Sequence, residues 1–237
     1  MGGLFMKIEI WSDFSCPFCY IGKKRFERAL SDFIHKDQVE VVFKAYQLNP
    51  SAEKNTDKNA YETFAKSHQI SIEETKKRFE NTVQNAKSVG LDFRYDLIQM
   101  TNTFDAHRLA KWANLFELEP KFTDRLMKAY FTDGYNLANI ETLVKLADEV
   151  GLDKDTARKV LEENQFSNDV RNEISEAKKI GVQGVPFFVV NRKYGISGAQ
   201  QEAYFLAALN QIWDEDHPTI PEEDAKTTYC TGEDCDL

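Results

Sequence analysis

Ser15-Cys16-Pro17-Phe18-Cys19-Tyr20 decides the fold, because of what flanks it on either side. Upstream, Lys7–Trp11 puts Ile8 and Ile10 on one face of a short strand. Downstream, Phe18, Ile21, Phe26, Ala29, Leu30 and Phe33 recur at helical spacing, which predicts a helix over 16–34. Pro17 falls in its first turn, where a missing N–H would have no partner in any case. Val39–Gln47, rich in β-branched and aromatic residues, reads as a second strand. Strand, helix and strand at this spacing form a βαβ unit, which implies parallel pairing and a right-handed crossover.

Strand character returns only near Phe187. Structureless connections longer than about 15 residues are uncommon, so the intervening stretch is predicted to be helical. The segments are 59–69, 71–89, 103–116, 121–131, 140–150, 154–163 and 168–180, with Gly90, Pro120, Gly134 and Gly151 as punctuation between them. Phe187–Asn191 and Tyr194–Ser197 then predict a hairpin, and Gln201–Trp213 a last helix. The fold class is α/β with a large all-helical insertion. Residues 6–48 and 182–213 make the α/β domain, 49–181 the insertion, and 214–237 an acidic tail.

Composition narrows the function. The chain has 237 residues, 42% hydrophobic and 29% charged, with 17 Phe to build a core, the profile of a water-soluble globular protein. No apolar run approaches the roughly 20 residues of a membrane span, and the N-terminus does not read as a secretory signal. From Asp214 onward nine acids stand against one base, Lys226, so the tail carries −8 of the chain's net −9. A nucleic-acid partner would need a clustered basic face, which is not seen. Four cysteines, Cys16, Cys19, Cys230 and Cys235, are too few for a disulfide-stapled scaffold. They fall in two close pairs, which points to redox or metal chemistry.

The thiolate is the reactive form of cysteine, and an ordinary thiol near 8.5 is mostly protonated at neutral pH. A helix N-terminus offers unpaired N–H groups and partial positive charge. Cys16 is expected there, titrating below Cys19 and below a free thiol. Cys19, one turn further in, could resolve a mixed disulfide formed at Cys16. Two buried core cysteines, or half of a zinc site, are the competing readings. A strand before the pair and a helix after it favour redox.

Gly184-Val185-Pro186 precedes the buried run Phe187–Val190. A proline entering a strand cannot donate to the ladder, and X–Pro is the linkage at which a cis bond costs little. A cis Val185–Pro186 bond would turn the Val185 backbone toward Cys16, where an extended peptide could pair with it. The alternative is a loop proline that sets strand entry.

Cys16-Pro17-Phe18-Cys19 and Gly184-Val185-Pro186 around a long helical insertion resemble the DsbA family. Asn102-Thr103-Phe104-Asp105-Ala106-His107-Arg108-Leu109 and Ser197-Gly198-Ala199-Gln200 resemble its cytosolic FrnE-like branch. The resemblance spans about residues 7–213. It implies a thioredoxin-like α/β domain and a cytoplasmic thiol–disulfide oxidoreductase without a bound cofactor or metal. Cys16 and Cys19 would be catalytic, with Pro17, Phe18, Val185 and Pro186 meeting substrate. Partners would be protein or peptide thiols and disulfides, with neither nucleic acid nor membrane, and a homodimer is admitted. A sister branch of glutathione-dependent isomerases and kappa-class transferases carries serine at the position of Cys16 and a Ser-Asp pair near Ala199-Gln200. This chain departs from it at both places, so a glutathione-dependent transferase or isomerase is the alternative, and a zinc-stabilised binding protein is another.

Other candidates are weaker. His107 and Arg108 lie on a predicted helix, where a structural histidine is the simpler reading. His35, His68 and His217 have no partner in spacing. Asp13 could accept a proton from Cys19 or simply shape the turn. Cys230-Thr231-Gly232-Glu233-Asp234-Cys235 could close a disulfide as an auxiliary redox pair, join Cys16 and Cys19 on zinc, or stay idle. Some FrnE-like proteins carry a similar distal pair, which favours the redox reading.

Overall fold

The computed structural model describes residues 5–218. Four strands, β1 (Met6–Ser12), β2 (Val39–Ala45), β3 (Phe187–Val190) and β4 (Tyr194–Ser197), form one sheet in the order β2-β1-β3-β4. β1 pairs parallel with β2 and antiparallel with β3, which pairs antiparallel with β4. The first crossover is α1 (Pro17–Asp32). Between β2 and β3 run α2 (Ala60–His68), α3 (Ile72–Ser88), α4 (Phe104–Asn114), α5 (Glu119–Phe131), α6 (Ile140–Glu149), α7 (Lys154–Glu162) and α8 (Ser167–Lys179). The last helix is α9 (Glu202–Asp216).

Strand alternation decides the layers. Ile8 and Ile10 of β1, Phe188 and Val190 of β3 and Phe43 of β2 pack with Phe26 of α1, Phe33 at its C-terminal cap, and Phe205, Leu209 and Trp213 of α9. Trp11 and Val189 pack with Ala177 of α8 and Val182, and the Trp11 indole N–H donates to the Glu173 carbonyl of α8 at 3.1 Å. A third core joins the insertion to the start of α1: Phe14, Cys16, Cys19 and Tyr20 pack among residues such as Leu109, Met127 and Phe131.

The helical expectation for 59–180 holds, because polar caps and chain breakers mark the ends. Asn59 and Glu62 form a reciprocal cap on α2, and Ser71, Asn139 and Asp153 cap α3, α6 and α7. Gly134 needs its lack of a side chain twice over: its φ is +70°, and an added Cβ would lie 2.6 Å from Leu97 Cβ.

Two expectations need correction. Pro120 is not a separator; it lies in the first turn of α5, where no N–H is required. The last helix does not stop at Trp213: α9 continues through Asp216, three residues into the segment assigned to the acidic tail. Burial of Trp213 holds this last turn in place. Its acids fasten the β3–β4 hairpin: Asn191 Nδ2 donates to Asp216 at 2.7 Å, and the Tyr194 hydroxyl donates to Glu215. His35 and His217 both stack on Trp213, and His68 stacks on Phe64. Cys230 and Cys235 lie outside the described residues.

Candidate active site

Ser12 ends β1, and the next three residues turn the chain into α1. Asp13 holds the turn. Its carbonyl accepts the Cys16 N–H at 3.0 Å. Its Oδ1 accepts the Ser15 N–H at 3.2 Å and the Thr103 hydroxyl at 2.8 Å, and its Oδ2 accepts the Leu48 N–H at 2.7 Å. His107 Nε2 stands 3.7 Å from Oδ1, and the His107 ring packs on Phe14. Burial by itself would raise the Asp13 pKa. The His107 ring and the Leu48 and Ser15 N–H groups outweigh burial and hold the carboxyl below its ordinary 3.8. Asp13 is therefore a fixed anion that shapes the turn, and a lowered pKa makes it a poor acceptor for the Cys19 proton.

Cys16 caps α1, with Pro17 in the first turn. Its Sγ donates to the Val185 carbonyl at 3.4 Å. Cys19 sits one turn in, and both thiols are buried and free. Burial, and then the adjoining Cys16 sulfur, push the Cys19 thiol well above its ordinary value, while the Asp13 N–H and the Ser12 hydroxyl pull the other way. Cys19 is thus kept protonated. Phe18 is the exposed side chain of the motif at 46%.

The Val185–Pro186 bond is cis. Pro186 is buried, and its carbonyl accepts the Gly198 N–H at 2.8 Å. The proline ring reaches α1 at Gly22, where an added Cβ would lie 3.0 Å from Pro186 Cγ and 3.2 Å from Ala199 Cβ. Arg25 of α1 donates to the Ala199 carbonyl at 2.8 Å. Cys16, Cys19, Pro17, Phe18, Val185 and Pro186 therefore come together.

Both of the further stretches singled out in the sequence reach this region. Ser197–Gln200 carries the close approach to Gly22. Asn102–Leu109 opens α4 and brings Thr103 and His107 to Asp13. Arg108 does something else: its buried guanidinium donates to the carbonyls of Gln165 (2.8 Å), Val160 (2.5 Å) and Leu161 (3.1 Å) and to Asp105 (2.7 Å). It pins α4 to the α7–α8 corner. Sequence reasoning missed Ser12 and passed over Thr103 within its own motif. A serine at a strand end carries no signal until the fold brings it beside the cysteine pair. Among the described residues no group of three or more Cys, His, Asp or Glu could hold a metal, and no helix is long and apolar enough to cross a membrane.

A cysteine pair opening the helix after β1, faced by a cis-proline loop on a four-stranded sheet interrupted by helices, defines a dithiol protein of the thioredoxin fold. The chain belongs to the DSBA-like thioredoxin domain family, whose model matches residues 7–210. It is similar to the crystal structure of probable DsbA oxidoreductase SCO1869 from Streptomyces coelicolor, at 37% identity and TM-score 0.84, covering 91% of this chain and 93% of that one. It is 28% identical over 205 residues to the uncharacterized protein YwbO of Bacillus subtilis (strain 168), covering 86% of this chain and 95% of YwbO. The cytosolic disulfide reductase DsbM of Pseudomonas aeruginosa shares the fold at 15% identity and TM-score 0.60, covering 88% of this chain and 99% of DsbM.

Proposed function

We propose that this protein is a thiol–disulfide oxidoreductase acting on protein or peptide substrates, with Cys16 as nucleophile and Cys19 as resolving thiol. The observation that carries the reading is the 3.4 Å contact between Cys16 Sγ and the Val185 carbonyl beside Pro186. An extended substrate pairing with the Val185 backbone would be laid across that sulfur, with the exposed Phe18 as an apolar neighbour. The Cys16 thiolate attacks a substrate disulfide, forming a Cys16–substrate bond and expelling one substrate thiolate. Cys19 loses its proton and attacks Cys16, closing Cys16–Cys19 and expelling the second thiolate. Two electrons pass to the substrate, and the reverse sequence oxidises a substrate dithiol. The likeness to SCO1869 supports this reading. The small number of cysteines supports work in the cytoplasm, as does the fold shared with cytosolic DsbM. Cys230 and Cys235 enter as an auxiliary pair.

The test is reduction of insulin by dithiothreitol, followed by turbidity, alongside oxidative refolding of a reduced protein. The parent should accelerate at least one of the two and Cys16→Ser neither. Glutathione conjugation without either activity would replace this reading with the transferase alternative.

A further inference from the structure

Arg25 lies in the middle of α1 and is buried, at 7% exposure. A buried charge is costly unless it is paired or well hydrogen-bonded. Among the described residues this guanidinium has no carboxylate partner, and both of its acceptors are neutral. Nη1 donates to the Ala199 carbonyl at 2.8 Å, and Nη2 donates to Asn85 Oδ1 of α3 at 3.2 Å. The planar fork thus spans two elements, the loop between β4 and α9 on one side and the insertion on the other. That loop backs the cis-proline. Gly198, next to Ala199, donates its N–H to the Pro186 carbonyl at 2.8 Å. Gly22, one turn before Arg25 on the same face of α1, lets Pro186 and Ala199 close on the helix. Across the cis bond, Val185 carries the carbonyl that Cys16 Sγ meets at 3.4 Å. Arg28, one turn later, makes an exposed version of the same bridge, to Glu202 at 2.8 Å and to the Val89 carbonyl at 3.1 Å.

We propose that Arg25 is a positioning residue for substrate docking. Its bonds to Ala199 and Asn85 fix the loop after β4 against α1, and so hold the Val185–Pro186 backbone where an extended peptide can pair with it over Cys16. The proposal rests on the thiol–disulfide reading above. The other hydrogen bonds of Gln200 in this loop are local, its N–H to the Gly198 carbonyl at 3.0 Å and its Nε2 to the Ser197 carbonyl at 2.7 Å. The Arg25 bond is what ties Ala199 to α1. Without it, the loop keeps its own shape but loses its fixed height above the helix, and Pro186 moves with it through Gly198. Arg25 makes no hydrogen bond to either cysteine, so its effect falls on docking and not on the attacking sulfur. A small disulfide that needs no strand pairing should not sense the change.

Two probes with one leaving group separate docking from attack. Ellman's reagent has no backbone to pair, whereas an extended peptide whose central cysteine carries thionitrobenzoate does. Both release thionitrobenzoate in stopped flow from the reduced full-length protein, in a Cys230→Ser, Cys235→Ser background so that only Cys16 and Cys19 react. The reading is the ratio of the two second-order rate constants, peptide over Ellman's reagent. In Arg25→Met the ratio should fall about tenfold, the loss expected of one hydrogen bond to a charged group, while the rate with Ellman's reagent stays within about twofold of the parent. Arg28→Met cuts the exposed bridge and should leave the ratio as it is. A merely structural role for Arg25 would lower the urea midpoint and either spare both rates or lower them together. Arg25→Lys keeps the charge but not the planar fork, and should move the ratio in the same direction; it decides the outcome if Arg25→Met does not fold. An unchanged ratio in the folded variant overturns the positioning role alone. A parent that reacts with Ellman's reagent but neither reduces insulin nor refolds a reduced protein overturns the function reading, and the positioning role with it.

Discussion

Replacing Asp13 with Asn tests the turn that presents the cysteines. The substitution keeps the shape and removes the charge. Oδ2 accepts the Leu48 N–H at 2.7 Å and Oδ1 accepts Thr103 and Ser15, so all the nearby partners are donors. An asparagine amide must point its NH₂ at one of them. Orphaning a buried donor costs about 1–3 kcal/mol, and the remaining bonds fall from the charged class to the neutral one, about 1 kcal/mol less each. The expected loss is about 3 kcal/mol, read as a lower urea midpoint at pH 7. The loss should depend on pH. The folded pKa of Asp13 lies below its ordinary 3.8, so its contribution is complete above that value and drains as pH falls through the folded one. Parent and variant should therefore converge in strong acid, where both side chains are neutral. A difference under about 0.5 kcal/mol at pH 7, or one that stays constant down to pH 2, would refute the account.

Gly22→Ala should lower stability by about 1 kcal/mol despite alanine's better helix propensity, because the new Cβ meets Pro186 and Ala199; urea melts and insulin reduction rates would both register it. In Cys16→Ser, Cys19 should alkylate with iodoacetamide far more slowly than in the urea-unfolded chain at pH 7, since burial holds it protonated; equal rates would show that folding does not hold it so. Arg108→Met should cost about 3 kcal/mol or more, leaving Val160, Leu161 and Gln165 carbonyls without their shared donor, and Arg108→Lys should not restore the urea midpoint, because lysine lacks the planar fork. If Cys230 and Cys235 exchange with the active pair, changing both to serine should slow insulin reduction or refolding; identical rates in both assays would leave that pair without a role.

What the sequence made legible was local. The Ile8/Ile10 alternation, the apolar spacing from Phe18 to Phe33 and the capped helices of the insertion each arise within one element, so periodicity finds them. That Cys16, Cys19, Val185 and Pro186 would come together was legible because the pattern is compressed into four residues and one proline. The turn beneath them was not, because Asp13 is held by Thr103, 90 positions away, and by Leu48 across the end of β2. Pro120 was misread for a related reason: a proline marks a helix boundary without saying on which side it falls. The extra turn of α9 depends on packing of Trp213, which no local pattern announces.

The packing of α1 explains why the insertion belongs to the site. The helix serves two cores. Phe26 and Ala29 in its later turns and Phe33 at its C-terminal cap pack on the sheet, while Cys19, Tyr20 and Ile21 in its first turns pack among insertion residues. The two ends of the chemistry divide the same way. The cis-proline loop, Gly22 and Ala199 arrange the outer face, where Cys16 would meet a substrate. Thr103 at the N-cap of α4 and His107 within that helix hold Asp13 on the inner face. Burial of Cys19 thus depends on helices that the sheet itself does not supply. Loosening the insertion would admit water to Cys19 and lower its thiol pKa toward the ordinary value. The inserted helices therefore help keep Cys19 buried and protonated.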